Sequence, residues 1–294
     1  MSRVEFGLML QMMQRPPLGP DELWDYNQRL ILAAEGFSTI WVEDHFDWGE
    51  AAVMECFSTM CYVAASYPHL KVGSLVLGQG YRNPALLAKM AANLQLMSGG
   101  RLILGLGAGW QEHEYRAYGY HFPSVKERME QLEEALQIMR LLWQGGPATF
   151  SGKHYRIEAA HCLPVPQPSI PLLIGGGGEQ RTLAITARYA DLWNFNSCTL
   201  EEYSRKLSIL RQHCQRLGRN PAEITLTYLS TASVADDPAL VVRDPKKHFI
   251  AGSPAEVIRE LEQFIEVGVS HFIFRFLDIP SLERFVRSVL PHFR

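Results

Sequence analysis

The chain lacks a strong charge of either sign. Its 28 Lys and Arg nearly balance 31 Asp and Glu, leaving a net charge of -3 over 294 residues. No broad positive field exists to attract nucleic acid or an anionic membrane surface, so both partner classes are set aside. No run of 18 apolar residues occurs, which argues against a membrane-spanning helix. Cysteine is scarce and odd in number: Cys56, Cys61, Cys162, Cys198 and Cys214, with no C-x-x-C pair. A disulfide framework or structural zinc site does not fit that usage, and reduced thiols in a cytoplasmic protein are the simpler expectation. The start, MSRVEFGLMLQMMQRPP, lacks the basic head, apolar stretch and small-residue cleavage site of a secretory leader. Also missing are the G-x-S-x-G elbow of serine hydrolases, H-E-x-x-H, the G-x-G-x-x-G of dinucleotide binders and the G-K-[ST] of a P-loop.

What is present is a repeated alternation of apolar strand and amphipathic helix. Hydrophobic residues make up 47% of the chain, enough to bury a full core. Strand-like segments begin near Val4, Ser38, Lys71, Arg101, Pro171, Asp191, Ile224 and His271. Each is short and apolar, as buried parallel strands are. Helical patterns lie between them, over Asp21–Glu35, Pro84–Met97, Ser124–Trp143 and Pro254–Val267. Eight such units predict a (β/α)8 barrel in one domain spanning 1–294, with an open doubly wound sheet as the competing architecture. Two stretches break the rhythm, about 144–170 and 232–252. Loops that long are expected to be functional insertions at the C-terminal mouth of the barrel.

In a barrel the chemistry sits at the C-terminal strand ends. The second strand ends in Glu43-Asp44-His45-Phe46. A neutral imidazole there accepts or donates a proton near neutral pH, and Asp44 beside it orients the ring or binds a cofactor. Equally, both residues fit a satisfied polar loop. The fifth strand runs into Gly175-Gly176-Gly177-Gly178 and then a helix from about Arg181. Glycines before a helix N-terminus let backbone N–H groups approach a phosphate closely, so this is the preferred anion site over a plain flexible turn. The fourth strand ends in Gly105-Leu106-Gly107-Ala108-Gly109-Trp110, where small residues either leave room for a flat ligand or make room for a neighbouring strand. Gln11, Met13, Asn194 and Asn196 end other strands and are weaker pocket candidates. Glu112, His113 and Glu114 cluster, but without a second histidine at ligand spacing they read as an ordinary helix-start charge cluster, and no metal site is expected.

Three segments together resemble the bacterial luciferase-like monooxygenase superfamily. They are AAEGFSTIWVEDHF, VGSLVLGQGYRNPALLAKMAANLQLMSGGRLILGLGAGW and PLLIGGGGEQRTLAITARYADLWNF. Within it they look most like the branch of oxidoreductases dependent on the deazaflavin coenzyme F420. The resemblance implies a barrel with the cofactor ring at its mouth, and Asp44 and His45 beside the ring, with His45 handling a proton. It also implies a non-proline cis peptide at Leu75–Val76 against the ring, further contacts from Ala108 and Gly109, and the cofactor phosphate on Gly176, Gly177 and Gly178. Arg82, Arg181 and Arg188 are candidates for the acidic cofactor tail. The implied activity is F420-dependent hydride transfer to or from a small organic substrate. The alternatives are an FMN-dependent monooxygenase using reduced flavin and O2, and a non-catalytic cofactor-binding relative. The resemblance is compatible with a homodimer and with a separate reductase that supplies reduced cofactor.

Overall fold

A computed structural model describes residues 4–294; the first three residues of the N-terminal segment discussed above lie outside it. In chain order, β1 (Glu5–Met9) leads through α1 (Leu23–Ala33) to β2 (Thr39–Val42). Next come α2 (Cys56–Ser66), β3 (Lys71–Ser74), the two-residue β4 (Leu77–Gly78), α3 (Pro84–Met97) and β5 (Leu102–Gly107). Two helices follow, α4 (Glu112–Ala117) and α5 (Val125–Leu142), then β6 (Ala148–Ser151), β7 (Arg156–Ala160) and β8 (Leu172–Gly175). The remainder is α6 (Thr182–Tyr189), β9 (Leu192–Asn196), α7 (Leu200–Arg216), β10 (Thr225–Val234), β11 (Ile250–Gly252), α8 (Pro254–Glu266), β12 (Val269–Phe276) and α9 (Ile279–Ser288). With β3 and β4 counted as one interrupted strand, β1, β2, β3/β4, β5, β8, β9, β10 and β12 supply eight parallel positions separated by helices. This is the expected (β/α)8 barrel, and the open-sheet alternative is discarded.

Contacts divide the chain into two compact units, residues 1–41 with 176–294, and residues 42–175. In the first, β9, β10, β12, β1 and β2 are successive parallel neighbours, and β11 pairs with the far end of β10. Its core is aromatic: Phe6 stacks on Phe272 at 5.8 Å and meets Phe285 edge-on at 5.6 Å. Gly36, at φ +89, turns the chain out of α1, a conformation other residues adopt only with strain. In the second unit β5 pairs with β3 and β4 on one side and β8 on the other. Arg101 fastens α2 there, donating to the carbonyl oxygens of Ala64 in the last turn of the helix (2.7 Å), Tyr67 at its C-cap (3.2 Å) and Leu70 just before β3.

The interruptions took more order than their sequence suggests. Residues 144–170 hold the β6–β7 hairpin, whose tip is held by the Glu134 carboxylate accepting from the N–H groups of Lys153, His154 and Tyr155 at 2.7–2.9 Å. The second stretch is irregular only over 235–249, because β10 runs on to Val234 and pairs with β11. Helix α2 was not among the predicted helices. Its CFSTMCYVAAS has no polar face, and it forms because Glu55 caps it, accepting from the Phe57 and Ser58 N–H groups.

Candidate active site

Asp44 and His45 follow β2 directly, and their side chains do different work. Asp44 is buried and accepts from Gly78 N at 2.8 Å and from both terminal nitrogens of Arg82 at 2.7 and 3.0 Å. Arg82 also bonds Glu55 at 2.6 Å. Its guanidinium is therefore committed within the protein, and burial, which would lower its proton affinity, is outweighed by the two carboxylates. Asp44 thus ties the end of β4 to the loop after β2. The expectation that it orients His45 is replaced by another carboxylate.

That carboxylate is Glu114, fully buried on α4. It receives His45 Nδ1 at 2.9 and 3.0 Å, Tyr81 Oη–H at 2.9 Å, and the N–H groups of Phe46 and Asp47 at 3.1 and 3.3 Å. The helix-start reading holds for Glu112, which pairs with Arg116 one turn on, but not for Glu114. The sequence offered no signal for this: Glu114 and Tyr115 are buried while their neighbours are exposed, a distinction six residues of helix are too short to reveal by periodicity. Burial alone would lower the proton affinity of His45, but the hydrogen bond and charge of Glu114 outweigh it and leave the pKa raised above 6.5. Burial likewise opposes ionisation of Glu114, yet His45 and the donors around it leave its pKa below 4.5. Nδ1 is thus committed to Glu114, and Nε2 is the ring nitrogen that Glu114 does not hold. Two indoles flank the imidazole edge-on, Trp48 at 5.1 Å and Trp110 at 5.8 Å.

The Leu75–Val76 peptide is cis and separates β3 from β4. The small residues of β5 make room for it. A Cβ on Gly105 would collide with Ser74, and one on Gly107 would lie 2.7 Å from the Val76 side chain; Gly175, on β8, would meet Val76 at 2.9 Å. Between the two readings of that glycine run, close strand packing accounts for Gly105 and Gly107. Gly109, at φ +75, abuts the Tyr115 hydroxyl, and Ala108 beside it is half-buried. Gln79, just beyond β4, has a buried Oε1 with no hydrogen-bond donor.

In the other unit the glycine loop leads from β8 to α6 at Thr182. Gly176 has φ +116 and donates to Asn194 O at 3.0 Å. A Cβ on Gly177 would enter the Phe195 ring, and one on Gly178 would lie 2.7 Å from Thr182 Oγ1. The N-cap residue, Arg181, makes no side-chain capping bond to the helix. Arg205 and Lys206, on α7, bracket Glu179 beside the loop at 2.5 and 2.8 Å and hold its carboxyl down at about 2. Of the other strand-end candidates, Gln11 is paired through its backbone to buried Asn27, and Asn194 donates to Thr227 Oγ1 at 2.9 Å. Asn196 lines a cavity of about 580 Å³ whose wall includes Arg15, Arg243, Lys247 and Arg275 against one carboxylate, Asp244. Ser197 at its edge adopts φ +48. Among the described residues no His/Cys/Asp/Glu group could hold a metal ion, and no helix is long and apolar enough to cross a membrane.

Comparison with known proteins places these features in context. The model of the luciferase-like monooxygenase family matches residues 4–271. An F420-dependent glucose-6-phosphate dehydrogenase of Nocardia farcinica (strain IFM 10152) is 29% identical, covering 94% of this chain and 95% of that protein. Among solved structures, an F420-dependent secondary alcohol dehydrogenase bound to an F420–acetone adduct superimposes with a TM-score of 0.85 at 22% identity over 99% of both chains. The oxygenating constituent of 3,6-diketocamphane monooxygenase from Pseudomonas putida, bound to FMN, gives 0.78 at 17% identity over 98% of both. At those identities the structures establish the shared fold.

Proposed function

The chain belongs to the luciferase-like monooxygenase family, and from that premise we propose that it is an F420-dependent oxidoreductase transferring hydride to or from a small organic substrate. The observation that carries this reading is the His45–Glu114 pair, an imidazole whose Nδ1 is fixed by a fully buried carboxylate and whose Nε2 is left to exchange a proton. When an alcohol is oxidised, its carbon gives up hydride and its hydroxyl proton passes to Nε2. In the reverse direction Nε2 returns that proton to the carbonyl oxygen. The Glu114 carboxylate raises the pKa of His45, so its protonated form persists to higher pH than in a free imidazole.

The residues fit a deazaflavin. Gly176, Gly177 and Gly178, ahead of a helix whose N-cap residue makes no side-chain capping bond, suit its phosphate. Leu75, Val76, Ala108 and Gly109 offer backbone and small side chains to a flat ring, and Gln79 Oε1 is an acceptor awaiting a ring N–H or O–H. The cationic cavity, which shares β9 with the glycine loop, suits a further acidic group of cofactor or substrate. The deazaflavin, with carbon at ring position 5, carries hydride and reacts poorly with oxygen, whereas reduced FMN forms an oxygenating species. The F420 reading is preferred because the curated relative and the first structural neighbour carry that cofactor in their names; the FMN-bound neighbour supports the monooxygenase as the second reading.

The rest of the proposal follows from these assignments. Residues 1–294 act as one cytoplasmic domain, with 144–170 and 232–252 as insertions, and a separate reductase or dehydrogenase returns the cofactor to its working state. The exposed Leu86, Leu96 and Met97 on α3 support a homodimer. Loading the protein with reduced F420 and supplying small ketones and aldehydes without oxygen tests the reaction class. The reading expects anaerobic oxidation of the cofactor that is lost in His45→Ala; a strict need for oxygen would overturn it.

A further inference from the structure

Trp110 follows Gly109 at the end of β5, and the sequence reading gave it no task. Trp110 is 65% exposed and Trp48 39% exposed, yet their rings lie only 6.2 Å apart and both meet His45 edge-on. The other exposed aromatics nearby are engaged differently: Tyr118 packs on Phe46 at 4.5 Å and donates to its carbonyl oxygen. Trp110 has only His45 and Trp48 as ring partners among the described residues. Gly109, in the left-handed region at φ +75, turns the chain so that the indole lies beside the imidazole. Two large apolar surfaces thus stand side by side next to the group that exchanges the proton.

We propose that Trp110, together with Trp48, forms the wall against which a ring substituent beside the substrate's reacting carbon packs, and that it selects a planar, ring-bearing alcohol or carbonyl. This deepens the function proposed above and rests on His45 being the proton-exchanging group. Apolar contact alone rewards any bulky group, whereas the edge-on geometry of the two indoles favours a π-face over a saturated ring of equal size. The wall contributes substrate affinity and selection. A substrate without a ring, such as acetone, gains least from it.

The test uses the F420-loaded protein with acetophenone, cyclohexyl methyl ketone and acetone. Aromatic pairing implies a preference for acetophenone over the cyclohexyl ketone of about 3- to 10-fold in KM. Trp110→Ala is expected to abolish that preference and raise the KM for acetophenone about 10- to 50-fold, the loss that burial of a large part of one indole represents. Trp110→Phe retains the preference. Calorimetric binding of the same ketones, measured in parallel without turnover, separates this proposal from the hydride-transfer reading. Selective acetophenone binding that Trp110→Ala removes supports the wall even where no ketone is reduced. Equal binding of the two ring ketones by the wild type, or an acetophenone affinity that survives Trp110→Ala, overturns it.

Discussion

Replacing Glu114 by Gln keeps the shape of the side chain and removes its charge. The carboxylate has two oxygens serving five contacts: His45 Nδ1 on both, Phe46 N and Asp47 N on Oε1, and Tyr81 Oη on Oε2. A glutamine can turn its oxygen to the two backbone N–H groups and its NH2 to the Tyr81 oxygen, so the loss of stability should stay near 1–3 kcal/mol. The cost to chemistry is larger. An NH2 facing Nδ1 selects the tautomer with hydrogen on Nε2, and a neutral imidazole in that form cannot accept a proton where the substrate sits. Turnover should fall about 10²- to 10⁴-fold while cofactor affinity stays within a few-fold. The pH dependence has a definite sign. The folded pKa of His45 is raised, so its contribution to stability is complete below the ordinary histidine value of 6.5 and is lost as pH rises through the raised value. The folded pKa of Glu114 is lowered, so its contribution is complete above 4.5 and is lost as pH falls through the lowered value. The excess stability of wild type over Glu114→Gln, followed by urea denaturation, should therefore be greatest between 4.5 and 6.5 and shrink on both sides. With the charge gone, burial dominates and the His45 limb of the rate profile should move to lower pH. A flat stability difference across pH, or turnover within a few-fold of wild type, would refute the role given to this pair.

Other outcomes follow from the packing. Asp44→Asn leaves Arg82 short of its buried partner and should cost about 3–5 kcal/mol in denaturant midpoint analysis; an unaltered midpoint would remove Asp44 from its anchoring role. Gly107→Ala drives a methyl against Val76 at 2.7 Å and should destabilise by about 1–3 kcal/mol, which thermal unfolding would show or deny. Lys247→Ala takes one cation from the cavity beside β9. F420 affinity or anionic-substrate affinity should then weaken about 3- to 10-fold at low salt, the difference narrowing at high salt; identical titrations at both ionic strengths would count against an anion site there.

The barrel was legible because eight short apolar runs and helical faces between them repeat a pattern that local chemistry reports faithfully. Pro84–Met97 was placed to the residue, since Asn83 and Pro84 mark its start and Ser98-Gly99 its end. His45 was legible as a titratable residue directly after a buried strand. Its true partner was not. Glu114 lies 69 residues away in sequence, on a six-residue helix among charged neighbours, and only the fold carries it to Nδ1. Asp44 attracted attention because it adjoins His45 in sequence, although adjacent residues leaving a strand point apart, and here Asp44 turns toward Arg82. The glycines of β5 illustrate a different ambiguity. A missing side chain looks the same in sequence whether the space is kept for a ligand or filled by Ser74 and Val76.

The central claim is that the ring held by this chain carries hydride and does not activate oxygen. Parallel titration of the apoprotein with F420 and with FMN, following ring fluorescence, addresses it most directly. The account predicts saturable binding of F420 with little or none of FMN. Tight binding of FMN with none of F420 would contradict it and make the protein a flavin-dependent monooxygenase.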